Sequence, residues 1–129
     1  RSIRLLNRTR SKAQALADEF GPVISVLDWA ERHDALAGAA MLVNSTDQGM
    51  HGKTDLSLRL DALPTDALVC DAIYIPLETS LLANARARGN LTVNGLGMLL
   101  NQARPAFKAW FGVDPEVSTA LRQAVIATF

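Results

Sequence analysis

The alternation of short apolar runs with helix-period segments constrains the fold of this chain more than any other feature. Residues 3–7 (IRLLN), 23–26 (VISV), 40–44 (AMLVN), 68–74 (LVCDAIY) and 91–93 (LTV) read as strands. Between the first two, Ala13, Leu16, Ala17 and Phe20 recur at i, i+3, i+4 and i+7, and Gly21-Pro22 supplies a helix stop. A weak helix is expected over 29–36, and another over 78–88 with Leu81, Leu82 and Ala85 inward. A long helix over 95–111 and a terminal one over 116–128 complete the pattern, while 45–66 reads as loop. The strand runs lack in/out alternation, the mark of a parallel sheet covered on both faces. The spacing therefore predicts a doubly wound α/β fold with right-handed crossovers.

A length of 129 residues allows one domain, residues 1–129, with no repeat, linker or low-complexity tract. Thirteen basic residues balance thirteen acidic ones, which argues against a nucleic-acid or membrane-surface partner. Apolar residues at 49% and charged ones at 20% fit a globular chain, and no apolar run approaches a membrane span. A single cysteine, Cys70, excludes a disulfide framework and reads as an inert buried thiol. The chain opens Arg-Ser-Ile-Arg with neither an initiator methionine nor a signal peptide. That opening reads as a processed or partial chain, and a cytoplasmic location is expected.

In a dinucleotide fold a glycine-rich turn after the first strand holds the pyrophosphate. No Gly-x-Gly-x-x-Gly follows any strand here; Gly95-Leu96-Gly97 lies late, with no βαβ unit after it. Five basic residues crowd the start: Arg1, Arg4, Arg8, Arg10 and Lys12. Arg1 and Arg4 read as a solvated edge. Asn7-Arg8-Thr9 sits just past a strand end, where such a fold meets the adenosine ribose. An NAD-selective protein has an acid there, whereas guanidinium and hydroxyl donors suit the 2′-phosphate of NADP.

Asn44-Ser45-Thr46 and Tyr74 also follow strands, at the sheet edge where ligands gather. Turn capping explains the first equally well, and a core-rim position the second. On the long helix, Gly95, Met98, Gln102 and Ala106 share a stripe beside Leu99 and Ala103. Gln102 is thus an amide among apolar residues, with a ligand hydroxyl or a backbone group as its partner. Phe107 and Trp110 read as core. His33 and His51 stand apart as loop residues, with no metal-ligand spacing and no nucleophilic triad in view.

Four stretches in order carry a family resemblance. They are Asn7-Arg8-Thr9-Arg10-Ser11-Lys12, the 43–50 segment VNSTDQGM, the 71–79 segment DAIYIPLET and the 94–103 segment NGLGMLLNQA, continued by Phe107, Trp110 and Gly112. Together they resemble the C-terminal, NADP-binding part of the shikimate dehydrogenase family, over essentially the whole chain. The resemblance implies a Rossmann-like doubly wound sheet, incomplete at its N-terminal side because the first strand and glycine loop have no counterpart. It implies that Asn7, Arg8, Thr9 and Lys12 hold the 2′-phosphate region of NADP and that Thr46 lines the adenosine side. Ala72 and Gly95 would touch the cofactor through backbone, while Tyr74 and Gln102 would reach the substrate.

Departures from the family pattern are Ser45, Asp47 and Asn94, and Asp47 is left out of the site for its negative charge. The family interconverts 3-dehydroshikimate and shikimate by hydride transfer with NADP, in aromatic amino-acid biosynthesis. Its acid-base lysine and partner aspartate belong to an N-terminal substrate domain. Lys12, Lys53 and Lys108 match no such motif, so no catalytic residue is assigned to this chain. Alternatives are a quinate-type paralogue and a non-catalytic NADP(H)-binding module. The expected partner is the small-molecule substrate, with a homodimer as a candidate assembly.

Overall fold

Five short parallel strands divide between two sheets. The structure, a computed structural model, describes residues 2–129, so the Arg1 expectation lies outside it. In the first sheet β1 (Ile3–Leu5) pairs with β2 (Ile24–Val26), aligning Ile3 with Ile24. In the second, β3 (Met41–Asn44), β4 (Leu68–Asp71) and β5 (Thr92–Val93) run in that order. Asn44 stands opposite Asp71 across the β3–β4 register.

The expected single sheet is therefore two, because among the described residues no strand pairs β1 with β3. Covering is also less complete than the apolar runs suggested. Met41 and Val43 on β3, and Ile3 on β1, each remain more than half exposed. The neighbouring helices explain this: α1 (Arg10–Phe20) packs on β2, and α2 (Ser80–Ala87) packs on β4 and β5.

Helix α2 follows its sequence pattern, burying Leu81, Leu82 and Ala85. The Thr79 hydroxyl caps it by accepting from the Leu82 N–H at 3.3 Å. Those side chains join Leu36, Leu60, Leu63, Ala67 and Val69 in the main core. Leu60 and Leu63 are irregular in conformation but apolar and buried, so the 45–66 connection contributes to packing. The weak helix over 29–36 resolves into two single 3₁₀ turns, Trp29–Glu31 and Asp34–Leu36.

Two expectations fail in the helices. On α1 only Ala13 is buried, while Leu16 and Phe20 face outward. In α3 (Leu96–Phe111) only Leu96 and Leu100 are buried. Phe107 and Trp110, expected in the core, are exposed; Phe107 packs on Phe111 at 4.6 Å between ring centroids, and Trp110 is 77% exposed. Only the first turns of α3 reach the sheet end, so its later aromatics meet no covering surface.

Cys70 lies mid-strand in β4, half-buried, and burial pushes its thiol pKa up, keeping it in the unreactive form. The chain closes with α4 (Thr119–Ile126). No helix of the described residues is long and apolar enough to cross a membrane.

Candidate functional site

The β1–α1 connection concentrates positive charge at a helix start. The Asn7 side-chain oxygen accepts from the Thr9 N–H at 2.8 Å, folding 7–9 into a tight turn ahead of α1. Thr9 is the residue before the helix, yet its hydroxyl makes no capping bond. Arg10 turns aside to Asp28 at 2.6 Å, whereas Arg8 and Lys12 form no ion pair among the described residues. Free N–H groups and the dipole of α1 reinforce the two cations. Arg4 is exposed, as a solvated edge requires, and its guanidinium also donates to the Ala35 and Ala37 carbonyls, each at 2.7 Å, tying β1 to the turn before β3.

A cleft of about 280 Å³ opens at this helix start. Its walls include Asn7, Arg8, Thr9 and Lys12 from the β1–α1 side and Ser45, Thr46, Asp47 and Gln48 from the β3 end, with Trp29 between. A second, larger cleft of about 450 Å³ shares Thr46 and Asp47 with the first and extends to Ala72, Ile73 and Tyr74 past β4. The two clefts, which share Thr46 and Asp47, thus lie at the carboxyl ends of β1, β3 and β4, the position where ligands of open α/β sheets collect.

Buried hydrogen bonds shape its floor. Asn44 is 4% exposed, and its side-chain oxygen accepts from both the N–H and the hydroxyl of Thr46, at 3.1 and 2.7 Å. Turn capping therefore holds for this segment, whose Ser45 and Thr46 also line the clefts. Tyr74 is half-buried on the cleft wall, its ring 6.0 Å from that of Phe129. Gly95 is buried behind the wall, its N–H bonded to the Ile73 carbonyl at 2.8 Å.

For Gln102 the structure corrects the expected setting among buried apolar residues. Its side chain is exposed and lines neither cleft, because the buried face of α3 runs through Leu96 and Leu100, roughly 100° round the helix from the expected stripe. Asp47, set aside for its charge, lines both clefts and pairs with Lys53 at 3.5 Å, which offsets that charge. Met50, the last residue of the 43–50 segment, also lines the larger cleft, as does His51, which no motif marked. His33 accepts from the Arg59 N–H through Nδ1, a structural bond. Among the described residues no three His, Cys, Asp or Glu side chains gather to hold a metal.

Known proteins with this arrangement are consistent in kind. The family described as Shikimate 5′-dehydrogenase C-terminal domain matches residues 95–125. A shikimate dehydrogenase (NADP(+)) of Paramagnetospirillum magneticum is 54% identical over 97% of this chain and 45% of its own length. Among solved structures, quinate dehydrogenase from Corynebacterium glutamicum in complex with NAD superposes with a TM-score of 0.87 at 31% identity, covering 98% of this chain and 46% of that one. Shikimate 5-dehydrogenase from Thermus thermophilus, in complex with NADP(H) and shikimate, gives 0.81 at 30% identity over 99% and 46%. The chain spans about 45% of the length of the curated relatives it matches. By sequence over nearly its whole length, and by fold, the chain belongs to the shikimate dehydrogenase family, as a counterpart of its C-terminal part.

Proposed function

We propose that this chain is the NADP-binding part of an enzyme interconverting 3-dehydroshikimate and shikimate. One observation carries the reading: Arg8 and Lys12, free of ion pairs among the described residues, share a cleft with Asn7, the Thr9 hydroxyl that makes no capping bond, and Thr46. That donor set fits an adenosine ribose bearing a 2′-phosphate, since a dianion at a helix start meets two cations and free N–H groups. Arg8, Thr9 and Lys12 hold the phosphate, Asn7 shapes the turn beneath it, and Thr46 lines the passage to the larger cleft. Ala72 and Gly95 carry the backbone path toward Tyr74, which meets the substrate. Bound NADP exchanges the hydride; the residues of this chain bind and orient. No proton-transfer residue is assigned to them. A cytoplasmic location is part of this proposal.

The NADP-bound shikimate and NAD-bound quinate relatives define the competing reading, a quinate-type enzyme. Curated shikimate dehydrogenases at 50–54% identity favour shikimate. Steady-state assay of the complete protein decides between them. Turnover is expected with shikimate and NADP, followed by NADPH absorbance, and none is expected from the 129-residue chain alone. Preference for quinate, or NADP binding without turnover of either acid, overturns the assignment.

Gln102→Ala in the complete protein separates a ligand role from a packing role. Because the side chain is exposed and makes no hydrogen bond here, Tm should stay within about a degree. If Gln102 bonds the substrate, KM for shikimate rises by the equivalent of about 1–3 kcal/mol. An unchanged KM removes it from the site.

A further inference from the structure

We propose that Asp71 is a positioning residue, a single buried acid that sets the spacing between the NADP-facing and substrate-facing halves of the cleft. The inference rests on the proposed function for its ligands, and on the following geometry for its substance. Asp71 ends β4 and is 2% exposed, with no cation paired to it among the described residues. Its Oδ1 accepts from Asn44 Nδ2 and from the Ile73 N–H, both at 3.1 Å. Its Oδ2 accepts from the Thr79 hydroxyl at 2.7 Å. That hydroxyl in turn accepts from the Leu82 N–H, so its own hydrogen is committed to Asp71.

Each of the three partners governs a different segment. Asn44 Nδ2 donates onward to the Gln48 carbonyl at 3.2 Å, and its oxygen holds Thr46, so the 44–48 loop hangs from this one amide. The Ile73 bond sets the turn that carries Ala72 and Tyr74. Thr79 fixes the start of α2 beneath both. Thr46 reaches both clefts and Tyr74 lines the larger one, so the two ligand-facing loops meet at one carboxylate. Hydrophobic burial alone would not set that distance, because Ser45, Thr46 and Asp47 are exposed and have no packing to fix them. A carboxylate suits the position because all three neighbours donate to it; an asparagine offers one acceptor and turns a donor toward Thr79.

The test uses the complete protein with Asp71→Asn, Thr79→Val and Thr79→Ser. Two readouts are taken: KM for NADP and for shikimate, and amide hydrogen exchange. Asp71→Asn is expected to raise both KM values together, roughly fivefold each, with a smaller change in kcat. Exchange should quicken at Thr46 and Ile73 while Val69, bonded to the Leu91 carbonyl within the sheet, stays protected. Thr79→Val should follow in the same direction, and Thr79→Ser should restore both readouts. Thr79→Val carries the test if Asp71→Asn does not fold. A fall in Tm with both KM values unchanged makes Asp71 purely structural and overturns the proposal. So does a change confined to one ligand, or faster exchange in only one of the two loops. If the wild-type protein turns over neither acid, the functional reading fails by itself, and joint or separate exchange at Thr46 and Ile73 still decides the role of Asp71.

Discussion

Arg8→Asp in the complete enzyme is expected to shift cofactor preference from NADP toward NAD. The two cofactors differ by one ribose phosphate, and Arg8 presents a planar guanidinium beside Thr9 and Lys12 in the smaller cleft. Losing a charge-assisted hydrogen bond costs about 1.5–3 kcal/mol. That corresponds to roughly ten- to 150-fold in kcat/KM for NADP. The new carboxylate also repels the phosphate while offering an acceptor to the free hydroxyls of NAD. The salt dependence of NADP affinity should weaken as a charge pair disappears. Stability should hold, since Arg8 is exposed and forms no ion pair among the described residues. Arg10→Asp is the control for bulk charge: Arg10 lies two residues on but is turned to Asp28. Equal loss of preference in both variants would show that net charge, not a phosphate contact at Arg8, sets the choice.

The fold and the cleft were legible in the sequence to different depths. Strand and helix alternation located all five strands within a few residues, because parallel pairing needs continuous apolar runs with helical crossovers between them. The inward face of α2 was equally plain, since Leu81, Leu82 and Ala85 share a helical stripe and the stripe meets β4 and β5. Periodicity on α3 named a stripe but not the surface that covers it, which is why Gln102 and Trp110 came out exposed. Asn7, Arg8, Thr9 and Lys12 were readable because one turn and one helix start bring neighbours in sequence together. The pairing of Asn44 with Asp71 was not, for it joins residues 27 apart and depends on the register of β3 against β4. Asp47 was legible only in part for a similar reason: its charge was visible, and its ion-pair partner Lys53 was not.

Gly95→Ala should cost more stability than any other single-methyl change behind the cleft wall. The backbone of Gly95 has φ −74° and ψ −7°, ordinary for any residue, so conformational freedom is not why glycine stands there. Space is the reason. A Cβ at this position would overlap the carbonyl oxygen and carbon of Ala72 and come within 3.0 Å of the Ile73 carbonyl carbon. Those obstacles are backbone, which cannot swing aside as a side-chain tip can. Two hydrogen bonds hold the close approach, Gly95 N–H to the Ile73 carbonyl at 2.8 Å and Leu99 N–H to the Gly95 carbonyl at 2.9 Å. Relief therefore requires the start of α3 to move away from the end of β4, stretching the first bond. Overpacking of this kind costs about 1–3 kcal/mol, and an unyielding backbone puts the cost at the upper end. For a domain of this size a loss of that order lowers Tm by roughly 4–15 °C. NADP affinity should fall with it, since the proposed backbone path through Ala72 and Gly95 opens as the two segments separate. Gly97→Ala supplies the contrast within the same helix. Nothing lies within 4 Å of a Cβ there, and exchanging glycine for alanine inside a helix should stabilise by up to about 1 kcal/mol. Thermal melts of the two variants should move in opposite directions. If both rise, the close approach of Gly95 to Ala72 is not a constraint on the folded chain, and the glycine is free to be any small residue.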